Sequence, residues 1–169
     1  MVLRHLLSVV LLPVTVALIV PVVIARRQGI VPAAGNSPGA VGVQVVGVAV
    51  LLVGLVLFFA SLRRFAAEGD GTLAPWDPPR RLVVRGPYRY VRNPMISGVV
   101  VVLFGEALML RSGPHTGWAA LFLAVNLLYI PALEEPMLEA RFGDAWREYC
   151  RRVPRFLPRL RPWTEPPPE

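Results

Sequence analysis

The sequence predicts an all-α, polytopic membrane protein with about four transmembrane helices and a C-terminal amphipathic helix. Hydrophobic residues make up 54% of the 169 residues and charged residues only 17%, whereas soluble domains carry about 25% charged residues. The mean hydropathy of +0.53 points the same way. Because the apolar residues are concentrated in four runs, we interpret residues 1–169 as one membrane domain.

The first two runs belong to residues 1–62 and are predicted to be two N-terminal spans. Residues 6–25 and residues 40–62 each match the roughly 20 residues that cross a bilayer core. The first run is longer than a signal-peptide core, so we expect it to be retained. Small residues repeat every seven positions in the second run and predict a close helix contact; they are Ala40, Gly47, Gly54 and Ser61.

The remaining chain is predicted to alternate polar and apolar segments. Residues 63–94 form a polar connection too long for a turn, which we interpret as a cytoplasmic cofactor loop, with a Pro-rich extended part at residues 71–79. Residues 95–133 contain two shorter apolar runs around a predicted turn at residues 111–117, and should form a helical hairpin.

Residues 134–162 are predicted to form an amphipathic tail. Apolar side chains recur at helical spacing on one face, and arginines occupy the other positions. The apolar face comprises Leu138, Phe142, Trp146, Tyr149 and Val153. Pro154 is expected to end the helix.

The arginines predict the orientation of the spans. All 18 basic residues are arginine, and with four spans all but Arg26, Arg27 and Arg111 lie on one side. Since positive charge collects on the cytoplasmic side, we expect both termini and the loop in the cytoplasm. The exclusive use of arginine points to a GC-rich coding genome and so to a bacterium, and we expect the protein in the inner membrane. A net charge of +7 also suits nucleic acid, but arginines that flank apolar runs favour the bilayer surface instead.

The loop at residues 84–98 reads VRGPYRYVRNPMISG and is the most informative stretch of the chain. Pro87 and Pro94 disfavour helix before them, and Gly86 permits backbone angles that side chains forbid. The segment is therefore a shaped loop that enters a helix near Pro94. Its tyrosines and arginines indicate an anionic or nucleotide-like partner.

This loop resembles a known family when it is read with two later blocks. GPYRYVRNP, the pair Glu134-Glu135 and the segment at residues 142–158 resemble, in that order, the isoprenylcysteine carboxyl methyltransferases and phospholipid methyltransferases of membranes. The resemblance covers residues 73–162. It implies S-adenosyl-L-methionine as cofactor and methyl transfer to a lipophilic or lipid-like small-molecule acceptor at the bilayer.

The resemblance also implies site residues. Arg92 and Glu135 would be catalytic, and no metal is implied. The cofactor would be bound by Leu82, Val83, Tyr88, Asn93, Pro94, Met95, Ile96, Gly98 and Glu134. The family usually has histidine and tyrosine where this chain has Asn93 and Ile96. Prenylcysteine enzymes carry an arginine at the position of Ile130, so we do not expect a prenylcysteine substrate.

Several alternatives stay open at this stage. A sterol-reductase-like membrane enzyme that takes NADPH would share the C-terminal region, and a non-catalytic membrane scaffold would need none of these residues. Glu134-Glu135 could instead form ion pairs at a helix end. Glu106 and Asn126, inside apolar runs, could be functional or could hold the hairpin together. The acceptor and the oligomeric state are left undetermined.

Overall fold

A computed structural model describes residues 10–30, 37–69 and 80–164 of the chain. Every regular element in these ranges is helical, which confirms the predicted class. The predicted extended part at residues 71–79 and the start of the first run lie outside them. The longer helices are α1 (Val20–Arg27), α2 (Pro38–Glu68), α3 (Pro94–Leu110), α4 (Gly113–Tyr129), α5 (Glu135–Phe142) and α6 (Asp144–Arg152).

Two π-helical segments and one short 3₁₀ turn complete these elements. Val10–Ile19 is π-helical and runs directly into α1, and Ile130–Glu134 is π-helical and joins α4 to α5. Pro131 has no N–H with which to continue an α-helical ladder, so the hydrogen-bond register changes there. The 3₁₀ turn, Gly86–Arg89, lies in the loop before α3.

The helix ends follow local chemistry. The side chain of Ser37 accepts a hydrogen bond from the Ala40 amide at 3.3 Å, and Pro38 occupies the first turn of α2. Helix α2 then continues to Glu68, beyond the predicted end at residue 62. Pro94 likewise occupies the first turn of α3.

The turn between α3 and α4 is shorter than the predicted residues 111–117. Arg111 ends α3 in the left-handed region, with φ of 50°, and the Ser112 side chain accepts a hydrogen bond from the His115 amide at 3.3 Å. Helix α4 therefore starts at Gly113, and the continuous helix Gly113–Phe142 includes the start of the predicted tail.

Helices α2 and α3 pack closely through glycines. A Cβ atom on Gly47 would lie 2.3 Å from the Met109 nitrogen, and one on Gly54 would lie 2.6 Å from the Val102 nitrogen. On the opposing helix, a Cβ on Gly98 would lie 2.8 Å from the Phe58 nitrogen. The repeated small residues of the second run thus serve a helix contact within the chain.

Substitution of Gly47 by alanine is expected to separate α2 from α3. Because the added Cβ would meet backbone and not a movable side chain, we expect a loss of about 1–3 kcal/mol in the free energy of unfolding. Gly42→Ala, on the same helix with nothing within 4 Å, is the matched control. Thermal unfolding in detergent should show a lower Tm for Gly47→Ala only. Equal Tm values would contradict the contact.

The N-terminal helical segment is fastened to α4 by two side chains. His115 is buried, and its Nε2 lies 3.1 Å from the carbonyl oxygen of Pro21. The Trp118 indole Nε1 donates to the carbonyl oxygen of Val16 at 3.0 Å. These contacts hold residues 13–16 against the rest of the fold, where they close one end of a cavity.

The C-terminal tail consists of two helices, where the sequence predicted one. Gly143, with φ of 55° and ψ of −124°, separates α5 from α6 because this backbone conformation interrupts a helix. Helix α6 is amphipathic as predicted and buries Trp146 and Tyr149. It ends at Arg152, before Pro154.

In the described ranges, two helices are long and apolar enough to cross a bilayer. They are Pro38–Glu68 and Gly113–Phe142, and α3 is a shorter apolar helix. Only 22% and 11% of their most apolar windows are buried inside the protein. Apolar side chains that face outward suit lipid and not the core of a soluble domain. The number of four spans stays a prediction.

Candidate functional site

A cavity of about 420 Å³ lies where the loop before α3 meets α4, α5 and α6. Its volume falls in the range of roughly 300–1,000 Å³ that small-molecule sites occupy. One end is formed by the loop and the tail helices. The other end is formed by apolar side chains of the N-terminal segment, α2, α3 and α4, among them Pro13, Val16, Phe58, Val99 and Phe122.

Most of the residues that the resemblance implied line this one cavity. The loop contributes most of them, and Glu134, at the end of the π-helical segment Ile130–Glu134, contributes the last. The lining includes Leu82, Val83, Tyr88, Arg92, Asn93, Pro94, Met95, Ile96 and Glu134. Gly98 and Glu135 do not line it. Gly98 lies instead in the contact between α2 and α3.

The loop owes its shape to its own sequence and to the tail. Gly86 takes a positive φ of 58° and starts the 3₁₀ turn that buries Tyr88. The hydroxyl of Tyr149 on α6 donates to the carbonyl oxygen of Tyr88 at 2.7 Å. The loop is therefore anchored to the tail at the residue that enters the cavity.

The segment after α6 also holds the loop. The backbone amide of Arg92 donates to the carbonyl oxygen of Pro154 at 2.9 Å. In the other direction, the amides of Arg159 and Trp163 donate to the carbonyl oxygens of Tyr90 and Arg89, both at 3.0 Å. We call residues 154–163 the strap. The sequence analysis missed it, because its prolines and arginines carry no periodic pattern.

Four polar groups in the cavity lack partners in the part of the chain that the structure describes. The Tyr88 hydroxyl, the Arg92 Nε and the Asn93 Nδ2 are buried without a hydrogen bond. The side chain of Glu134 makes neither a hydrogen bond nor an ion pair with any described residue. Buried polar groups without partners are costly, so this arrangement indicates a polar ligand.

The Tyr88 phenol is held as a neutral hydrogen-bond donor. Burial, together with the neighbouring Tyr149 and Glu134, raises the pKa of Tyr88 well above its usual value. The hydroxyl therefore keeps its proton at physiological pH and can donate to a ligand atom.

Arg92 and Glu135 form a buried ion pair beside the cavity. Their atoms Nη1 and Oε1 are 2.8 Å apart, and the side chains are 10% and 14% exposed. Arg155 donates from Nε to the same carboxylate at 2.7 Å, and Arg92 donates to the Cys150 Sγ at 2.8 Å. Glu135 faces a separate polar hollow with Arg155 and Cys150. The pair engages the Nη1 atom of Arg92, whereas its Nε is buried without a partner among the described residues.

An arginine outside residues 84–98 is also available to a ligand. The Nε of Arg89 donates to the strap at the carbonyl oxygen of Trp163, and Arg92 is paired with Glu135. Arg81, which the sequence analysis did not single out, is exposed and lines the cavity. A cation at the cavity mouth suits an anionic group on a ligand.

The two polar residues inside the apolar runs do not form a pair. Asn126 is buried, lines the cavity and donates from Nδ2 to the Phe122 carbonyl oxygen at 2.8 Å. Glu106 does not line the cavity, and its Oε2 is buried without a partner among the described residues. Two roles were left open for these residues; the structure shows no hydrogen bond between them among the described residues, and of the two it places only Asn126 in the cavity lining.

Comparisons with known proteins agree on one class of enzyme. The family model for phospholipid methyltransferase matches residues 43–145. Phosphatidylethanolamine N-methyltransferase 1 of Vanderwaltozyma polyspora is 31% identical over 80 residues, 47% of this chain. Methanethiol S-methyltransferase 1 of Bradyrhizobium diazoefficiens is 36% identical over 74 residues, 42% of this chain. The matched regions cover only 10% and 24% of these two relatives.

Proposed function

Because the chain belongs to the phospholipid methyltransferase family, we propose that it is a membrane enzyme that methylates a lipophilic or lipid-like acceptor with S-adenosyl-L-methionine. The observation that carries this proposal is a cavity that combines a polar end with an apolar end. Its polar end contains three buried donors without partners among the described residues, on Tyr88, Arg92 and Asn93. The Glu134 carboxylate lines the same cavity. A cofactor that carries cationic, hydroxyl and aromatic groups fits this set.

Each polar group has a role in the proposed complex. The Glu134 carboxylate would bind a cationic group or the ribose hydroxyls, and Tyr88 and Asn93 would donate hydrogen bonds. Arg81 at the mouth would bind the cofactor carboxylate. When bound, the cofactor supplies a methyl group on a sulfonium, and transfer joins this carbon to the acceptor atom as its bond to sulfur breaks. The protein's contribution is to hold the acceptor in line.

The apolar end supports an acceptor that comes from the bilayer. Phe58, Val99 and Phe122 offer only carbon atoms to a ligand there, so an apolar chain would be buried favourably. The names of the two relatives specify N- and S-methylation and leave the atom that this chain methylates undecided. Isoleucine at position 130 supports an acceptor other than a prenylcysteine carboxylate.

The proposed site faces the cytoplasm of a bacterial inner membrane. The arginine distribution supports this orientation, since the loop and the tail together carry most of the 18 basic residues. The cofactor would then enter from the cytoplasm at Arg81. The acceptor would enter from the lipid side.

Binding of S-adenosylhomocysteine, the product form of the cofactor, tests this proposal. Calorimetric titration of the detergent-purified protein should give micromolar binding, and NADPH titrated in parallel should give none. Far-ultraviolet circular dichroism would establish that the sample is helical. Binding of NADPH without S-adenosylhomocysteine would favour a reductase. Binding of neither by the folded protein would leave a scaffold.

A further inference from the structure

Asn126 is a polar side chain at the apolar end of the cavity. It lies eight positions before Glu134 on the continuous helix Gly113–Phe142, which corresponds to roughly 12 Å along the helix axis. Phe122 and Val16, whose side chains offer no hydrogen bonds, also line the cavity, as does Tyr129, three positions after Asn126 on the same helix. The amide thus lies about two helical turns from Glu134.

The orientation of the Asn126 amide is fixed by its own helix. The Nδ2 atom donates to the Phe122 carbonyl oxygen at 2.8 Å, so the Oδ1 atom is turned away from that carbonyl. Oδ1 has no hydrogen-bond partner among the residues that the structure describes. A carbonyl oxygen in apolar surroundings is costly unless a donor reaches it. A ligand that brings an N–H or O–H group would remove this cost.

A carboxylate acceptor would be disfavoured at this position. It would bring a second hydrogen-bond acceptor toward Oδ1. Arg81 and Arg92, the arginines that line the cavity, come from the loop and not from α4. Helix α4 itself contributes no basic side chain to the lining.

We propose that Asn126 determines acceptor specificity: its Oδ1 accepts a hydrogen bond from an N–H or O–H group on the lipophilic acceptor and selects against carboxylates. This inference rests on the proposed methyltransferase function. It assigns recognition of the acceptor to α4 and recognition of the cofactor to the loop and Glu134. The two functions can therefore be separated by mutation.

Chain-matched small amphiphiles test the inference by binding alone. Hexylamine, hexanol, hexanethiol and hexanoate would be titrated into detergent-purified protein with saturation-transfer NMR as the readout, with and without S-adenosylhomocysteine. Hexylamine or hexanol should bind about tenfold more tightly than hexanoate to the wild type. Asn126→Leu should reduce this ratio to less than about threefold, because leucine cannot accept the hydrogen bond. Hexanethiol should rank between them.

Two further variants make the result decisive. Asn126→Asp retains an acceptor oxygen and should keep the preference for hexylamine over hexanoate. Val125→Leu alters the adjacent, exposed position and should change nothing. S-adenosylhomocysteine affinity should be equal in all variants. The inference would be overturned if Asn126→Leu kept the wild-type ratio of hexylamine to hexanoate affinity, or if the wild type bound no amphiphile. It would also be overturned if Asn126→Leu weakened only the binding of S-adenosylhomocysteine. Failure of the wild type to bind S-adenosylhomocysteine would overturn the proposed function instead.

Discussion

Substitution of Glu134 by glutamine is expected to weaken S-adenosylhomocysteine binding by about ten- to a hundredfold. Hydrogen bonds to a charged group contribute about 1.5–3 kcal/mol, and 1.4 kcal/mol corresponds to a factor of ten in affinity. Glutamine preserves the size of the side chain and removes its charge. Because Glu134 has no ion-pair partner among the described residues, the substitution should leave the fold intact.

Glu139→Gln is the matched control for this prediction. Glu139 lies on the same helix, but its carboxylate is half exposed and pairs with Arg147 at 3.1 Å, outside the large cavity. Calorimetry should show wild-type affinity for Glu139→Gln and weak binding for Glu134→Gln, with similar Tm values for both. If both variants bound alike, Glu134 would not be a cofactor residue.

The features that the sequence predicted well are those that local chemistry decides. The integral membrane character follows from long apolar runs, and the loop follows from Gly86, Pro87 and Pro94, whose backbone preferences hardly depend on context. The heptad of small residues predicted a helix contact, which Gly47 and Gly54 make with α3. In each case, the residue type alone restricts the geometry.

The features that the sequence did not predict depend on tertiary contacts. The strap has no periodicity, and its position is given by amide bonds such as Trp163 to Arg89 at 3.0 Å. The break at Gly143 was overlooked because the apolar spacing continues across it. Arg81 looks in sequence like the other arginines, and its place in the cavity lining depends on the tertiary structure.

The pair Arg92 and Glu135 shows how the same motif can be interpreted in two ways. The family resemblance implied that both are catalytic. Their side chains are only 10% and 14% exposed and form an ion pair, which also suits a structural role. We propose that they are positioning residues. Arg92 belongs to the loop and Glu135 to α5, so their pair holds the cofactor loop against the tail.

Substitution of Glu135 by glutamine should therefore destabilise the protein strongly. It would leave Arg92 and Arg155 without the carboxylate that both contact, and removal of one partner of a buried pair costs about 3–5 kcal/mol. We expect the Tm in detergent to fall by roughly 10 °C. Glu148→Gln, which removes an exposed pair with Arg152, should change it little.

The combination of stability and binding measurements distinguishes the two roles of Glu135. A positioning residue predicts a large loss of Tm together with weaker S-adenosylhomocysteine binding, because the loop that carries Tyr88 and Asn93 is no longer held. A residue that acts only in the chemical step predicts wild-type Tm and wild-type binding with lost turnover. Since S-adenosylhomocysteine binding needs no acceptor, this distinction can be made before the acceptor is known.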